Sequence, residues 1–486
     1  MKYISTRTGE VINSSYEAIL KGLADDGGLF LPENLPIIKF SEEEIKSLNY
    51  KFVAKKVISS IFDDFTKEEI ESAVEGAYDT FEDEILPITK LNNNYIMELY
   101  HGKTLAFKDF ALSILPRLMK ISVDKLNLKE KIVILAATSG DTGSAALSGF
   151  SNVEGTEVIV FYPTEGISEI QRKQMVCLDA KNSQAVAIKG NFDDAQSALK
   201  NIFNDDYLAK SLAEKNIRLS SANSINIGRL VPQIAYYFYS YYELLRNGEI
   251  EESESINISV PTGNFGNILA GYLAKQMGLP IDILICASNK NNVLTDFFNS
   301  GKYNANREFY KTNSPSMDIL VSSNLERLLY LIADKDAEKI NNLMKDLKEK
   351  KSYIIDNKMQ ENIKDFKAYY YKDDEILENI KETYEEYNYL LDTHTAIGLM
   401  AAKEYNSKNK TLVASTASPF KFPKAVSEAI SLEIYDDDFK TLEHLSVKTE
   451  IEIPQILKDL EIAEVTQKRV IDSNLIKETI LEILGE

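Results

Sequence analysis

The sequence predicts an α/β protein: two parallel sheets covered by helices, preceded by a mainly helical N-terminal unit. Three observations lead there. From about residue 130 onward, short apolar runs alternate with runs of helical period, the pattern of strands that pair in parallel through crossover helices. Two glycine-rich turns, at 138–143 and 263–267, each join a strand-like run to a helix-like run. The 486 residues, 44% hydrophobic and 27% charged, suffice for two or three domains of ordinary globular composition.

Residues 1–90 read as a separate unit. S-Y-E-A-I-L-K-G-L (15–23) has helical spacing and stops at D-D-G-G-L-F-L-P, where glycines end a helix and proline bounds an extended stretch. S-E-E-E-I-K-S-L and T-K-E-E-I-E-S-A-V each open with a hydroxyl residue followed three positions later by Glu, which predicts a capping box at each start. Next come a strand at 131–138, a helix over S-A-A-L-S-G-F, a strand at 157–162, a helix over I-S-E-I-Q-R-K-Q-M, a strand at 184–189 and a helix at 193–203. Residues 256–261, a glycine turn, a helix reaching Gly278 and the strand I-D-I-L-I-C-A make one βαβ unit, with a further strand at 411–415. The Lys-, Glu-, Asn- and Tyr-rich stretch at about 325–390 is expected to be a helical excursion on the surface. The predicted domains are 1–90, a small α/β domain at 111–224, and a large α/β domain from 91–110 and 225–486. The last fifty residues are amphipathic and carry no recognisable chemistry.

The composition narrows the function. With 55 basic and 75 acidic residues the chain carries a net charge of −20, which argues against nucleic-acid or anionic-membrane partners, since both select basic surfaces. Any phosphate must therefore be held by local backbone N–H groups and a few cations. Two cysteines, Cys177 and Cys286, exclude a disulfide framework, and three scattered histidines lack metal-ligand spacing. There is no signal-like apolar core at the N-terminus and no run approaching the roughly 18 apolar residues of a membrane span. The expectation is a soluble cytoplasmic protein without a metal.

Three motifs carry chemistry. G-N-F-G-N (Gly263, Asn264, Phe265, Gly266, Asn267) lies where a strand gives way to a helix, so successive N–H groups and the helix dipole can face an anion. It matches neither the dinucleotide fingerprint nor a Walker A loop; a purely structural turn is the other reading. T-S-G-D-T-G (138–143) has the same placement but is loaded with polar side chains. Its Ser139, Asp141 and Thr142 suit a carboxylate or a second phosphate, or else simply cap the helix. Lys108, in A-F-K-D-F, has apolar neighbours that can disfavour its charged form and free the amine for a Schiff base; taken alone, the segment reads better as an ordinary surface lysine, and the case rests on the combination. One such lysine with two phosphate-type turns points to pyridoxal phosphate (PLP) chemistry.

In order, H-G-K-T-L-A-F-K-D-F, T-S-G-D-T-G-S, G-N-F-G-N and S-T-A-S-P-F-K-F resemble the threonine synthase family. D-D-G-G-L-F-L-P, S-E-I-Q-R-K-Q-M, N-S-I-N-I-G-R-L-V-P-Q and D-T-H-T-A-I-G match it as well, so the resemblance covers the chain to about residue 425. The chain looks like the longer branch of the family, which carries an extra N-terminal domain, and the resemblance implies fold type II of the PLP enzymes, a tryptophan synthase beta-like fold. By this resemblance Lys108 is the Schiff-base lysine, Gly263 to Asn267 cradle the PLP phosphate, and Thr416 is the hydroxyl partner of the pyridine nitrogen. A neutral hydroxyl does not keep that nitrogen protonated, which favours elimination over transamination. Ser139, Asp141 and Thr142 would receive the substrate carboxylate. Thr104, Gln171, Lys173, Asn226 and Arg229 are candidates for the substrate's phosphate, Arg229 being equally readable as a structural ion pair.

The implied reaction converts O-phospho-L-homoserine and water to L-threonine and phosphate by γ-elimination and β-addition of water, in a carbon–oxygen lyase that acts as a monomer. The alternative is a phosphohomoserine lyase or a serine/threonine dehydratase of the same fold. Two positions depart from the family pattern. Lys103 stands where the family has proline, adding a cation near the phosphate or merely a surface substitution, and Ser418 stands where T-A-H-P has histidine.

Overall fold

The computed structural model describes residues 1–486 except 82–83, 139, 166, 204 and 486, with backbone alone at 192, 193, 200 and 206. The chain begins with three short strands, β1 (Tyr3–Ser5), β2 (Val11–Ile12) and β3 (Phe30–Pro32), paired antiparallel in the order β2-β1-β3. Strands this short show no alternation in the sequence. The remainder of this unit is helical: Ser15–Lys21, Glu42–Lys46, Tyr50–Ile61 and Lys67–Tyr78. Gly22, at φ 67°, stops the first helix. Both capping boxes form, Ser41 with Glu44 and Thr66 with Glu69, each satisfying two helix-start N–H groups.

Next along the chain are β4 (Ile88–Leu91), β5 (Asn94–Glu98), β6 (Lys131–Ala137), β7 (Thr156–Pro163), β8 (Ser183–Lys189) and β9 (Ile217–Ser220). They are followed by β10 (Ile256–Pro261), β11 (Ile281–Ser288), β12 (Lys302–Asn304), β13 (Ser352–Ile354), β14 (Phe366–Tyr370), β15 (Thr411–Ser415) and β16 (Val470–Asp472). Two sheets dominate. One has the order β16-β8-β7-β6-β9, with every pairing parallel. The other runs β14-β11-β10-β15-β5-β4, parallel except for the β4–β5 hairpin. β6, β7, β10 and β15 are almost wholly buried, as expected for strands covered on both faces.

Two expectations need correcting. β16, at the end of the chain, joins the small sheet beside β8 instead of the large domain assigned to 225–486. The reason is apolar: Ile471, Ile476 and Ile480 share a cluster with Val186 and Ile188. The stretch 325–390 is not wholly a helical excursion either, because β14 within it forms an edge of the large sheet.

The helix Ile227–Arg246 is buried along nearly its whole length and packs against both Tyr50–Ile61 and Gly266–Gln276, joining the N-terminal unit to the large sheet. Within that sheet β10, β15 and β5 are parallel neighbours. Their C-terminal ends share one edge, and each releases one of the predicted motifs there. That edge is the usual seat of ligands in open α/β sheets.

Candidate active site

The loop after β5 is zipped to the segment after β15. Leu99 N donates to Ser415 O (2.9 Å), Phe107 N to Thr416 O (2.9 Å) and Ser418 N to Leu105 O (3.1 Å). Lys108 emerges from this seam at the start of the short helix Asp109–Leu112. Its side chain is 11% exposed, and Nζ lies 3.4 Å from Asp141 Oδ2 and 3.4 Å from Ser316 Oγ. Burial lowers the Lys108 pKa to about 8; Asp141 opposes that shift, while Arg229 and Lys421 reinforce it. An amine so placed is a usable nucleophile and proton carrier.

The turn after β10 ends in the helix Gly266–Gln276, with Phe265 in the left-handed region at φ 67°. The first-turn N–H groups of a helix have no intrahelical acceptor. Ser322 Oγ donates to Gly263 O (2.7 Å) and Asn324 N to Asn264 O (3.0 Å), which pins the turn by its carbonyls. A Cβ on Gly263 would stand 2.9 Å from the backbone oxygen of Ser316, so only glycine fits there. The hydroxyls of Tyr236 and Tyr237 both donate to Asn267 Oδ1, and the buried Asn267 Nδ2 has no partner among the described residues. Backbone donors at a helix start plus a spare buried amide fit the phosphate of PLP. Ser316 spans the gap from this turn to Lys108.

The loop after β6 approaches from the small sheet. Thr138 Oγ1 accepts from Gly140 N and Gly143 N (2.9 Å each) and shapes the turn. Ser139 lies outside the described residues, and Thr142 is half-buried in the first helical turn. Asp141 is buried and accepts from Lys421 Nζ, Gln171 Nε2 and Ser316 Oγ, each at 2.8 Å. Burial pushes its carboxyl up, but Lys421, Lys108 and the hydrogen bonds from Lys421 and Gln171 hold it well below the usual carboxylate range. An ionised carboxylate only accepts hydrogen bonds, so Asp141 is not the direct receiver of a substrate carboxylate expected from the sequence.

The phosphate candidates separate. Arg229 is buried, and one guanidinium nitrogen donates to Ala222 O (2.7 Å) while Nε is unpartnered among the described residues. No carboxylate among those residues pairs with it, which disfavours the structural ion pair; burial lowers its pKa to about 10. Gln171 is engaged with Asp141 and with Ser168. Thr104 gives its N–H and hydroxyl to Asp109 (2.7 Å each) and its carbonyl to Lys421 and Gln174, so it braces the loop and has no donor left for phosphate.

Asn226 and Lys173 are also corrected. Asn226 caps the helix Ile227–Arg246, accepting from Gly228 N (2.8 Å), and ties it to the N-terminal unit by donating to Ile19 O (2.9 Å). Lys173 binds the carbonyls of Leu460 (3.3 Å) and Glu461 (2.6 Å). Two positions beyond Gln171 on the same helix, it faces away from the site. Lys103 is exposed, and Ser418 is buried in the seam, its carbonyl accepting from Lys421 N (3.0 Å). Thr416 is buried next to Phe107, the residue before Lys108.

Sequence reading missed three groups. Ser316 sits in a stretch without periodicity. Lys421 and His394 occur in quoted motifs but received no role; Lys421, between two phenylalanines, carried the same apolar-flank signal as Lys108. His394 is buried, with Nδ1 2.9 Å from Asp392 Oδ1 and Nε2 accepting from Ser316 N (3.3 Å).

Three family models match the chain: threonine synthase N terminus over residues 2–78, pyridoxal-phosphate dependent enzyme over 86–416, and threonine synthase C-terminal over 395–480. The threonine synthase of Pseudomonas aeruginosa is 40% identical over 443 residues, 88% of this chain and 90% of the relative. That of Saccharomyces cerevisiae is 36% identical over 465 residues, covering 88% and 89%. The structure of a PLP-bound threonine synthase from Brucella melitensis is similar at TM-score 0.88 and 36% identity, over 99% of each chain.

Proposed function

The chain belongs to the threonine synthase family of PLP-dependent lyases, and from that premise we propose that it converts O-phospho-L-homoserine and water to L-threonine and phosphate at Lys108. The carrying observation is the Lys108 amine, lowered to about 8 by burial and set 3.4 Å from Ser316, whose backbone backs the Gly263 turn. Bound PLP supplies an electron sink that stabilises negative charge next to the substrate's reacting carbons.

The rest is the work of side chains. Lys108 holds the cofactor and, once released by the substrate amine, carries protons at the α- and β-carbons. Gly263, Asn264, Phe265, Gly266 and Asn267 hold the cofactor phosphate through backbone N–H groups and the Asn267 amide. Thr416 offers a neutral hydroxyl to the ring nitrogen. Arg229, with guanidinium N–H groups to spare, takes the substrate phosphate and stabilises it as it leaves. Thr142 and the neighbouring helix-start N–H groups take the α-carboxylate. All of these residues come from one chain, which we read as acting as a monomer in the cytoplasm, where Cys177 and Cys286 stay reduced. No helix among the described residues is long and apolar enough to cross a membrane.

The test is an assay of PLP-loaded enzyme with O-phospho-L-homoserine, following phosphate, threonine and 2-oxobutyrate together. Threonine should match phosphate one to one, and Lys108→Ala should abolish both. Release of 2-oxobutyrate in place of threonine would move the assignment to the lyase.

A further inference from the structure

Lys421 lies at the end of the 3-10 turn Pro419–Lys421 that follows β15, with a side chain that is 0% exposed. Its ammonium donates to Asp141 Oδ1 (2.8 Å) and Thr104 O (2.7 Å). The remaining capacity of Asp141 is filled by Gln171 Nε2 on Oδ1 and by Ser316 Oγ on Oδ2, the oxygen that faces Lys108. Donors from four separate segments thus converge on one carboxylate.

Such a carboxylate is an obstacle in a loop that has to admit a substrate anion, because like charges at close range in a water-poor site repel strongly. A buried lysine without a carboxylate would be equally unfavourable. Each group offsets the other. The charged groups around Lys108 are Asp141, Lys421 and Arg229, with Asp109 also feeling the Lys421 charge and His394 behind Ser316.

We propose that Lys421 is a positioning residue for the reaction: paired with Asp141, it cancels the negative charge of the 138–143 loop, so that the loop admits the substrate's α-carboxylate while Asp141 stays oriented on Lys108. This rests on the functional reading above, in which that loop receives the carboxylate.

The experiment compares wild-type holoenzyme with Lys421→Met, Asp141→Asn and the double variant. The readouts are the pH midpoint of the visible absorption band of the lysine-bound cofactor and KM for O-phospho-L-homoserine. Lys421→Met leaves Asp141 uncompensated, so the midpoint should rise by about one pH unit and KM by about tenfold. Asp141→Asn leaves Lys421 uncompensated, so the midpoint should fall. The double variant, with both charges removed, should bring the midpoint back to within about half a unit of wild type and recover most of the KM loss.

A role confined to holding the fold does not produce shifts of opposite sign. Shifts in the same direction, no shift, or a double variant no better than Lys421→Met overturn the inference. If Lys421→Met does not fold, the direction of the Asp141→Asn shift and the recovery in the double variant still decide. Wild-type protein that takes up no PLP overturns the functional reading itself; active wild type with unshifted variants overturns this inference alone.

Discussion

Lys108 keeps an amine ready by being deprived of water, and the cost is visible in its neighbours: an anion on one side and two cations nearby. Because the neutral amine is the nucleophile, capture of PLP by the apoprotein should speed up with pH until about 8 and then level off. Stopped-flow mixing across that range measures it; a rate still climbing toward the ordinary lysine value would mean the amine is more hydrated than its surroundings indicate. At this scale the sequence was legible where chemistry shows in adjacent residues, as in A-F-K-D-F and G-N-F-G-N. It was not legible for Ser316, which gains meaning only by standing between Lys108 and the turn at Gly263.

Individual helices explain why residue type alone misassigned some candidates. Asn226 and Lys173 have the polar groups a phosphate site needs, yet a helix start claims one and a helix end the other. Asn226→Ala should therefore cost about 1 kcal/mol or more in stability through the lost cap, and leave KM for the substrate unchanged. A thermal melt with steady-state kinetics separates the effects; a raised KM with an unchanged melt would return Asn226 to the substrate. Capping boxes were foreseeable because Ser41 with Glu44 and Thr66 with Glu69 are local pairs. Which face of Glu169–Val176 meets Asp141 was not, since that depends on how the helix docks.

Over the whole molecule the chain crosses from the large sheet back to the small one, and its last helix, Ile476–Leu484, packs on the helix Phe192–Phe203. Ile480, 1% exposed in that cluster, should cost about 2–5 kcal/mol when replaced by alanine; urea denaturation reads this, and an unchanged midpoint would show that the tail adds nothing. A tail so docked was unreadable in advance because its amphipathic pattern states that a face is buried without stating against what. By itself the sequence determined the α/β alternation and the family, and it singled out Lys108 and two glycine turns as candidates, because apolar period, glycine turns and ordered motifs are local properties of the chain. Only the tertiary structure decided that β5 lies beside β15, that Lys421 meets Asp141, that Lys173 is tied to the carbonyls of Leu460 and Glu461, and that β16 joins the small sheet. Those outcomes depend on strand register and on the burial of charge between distant segments, which neighbouring residues do not encode.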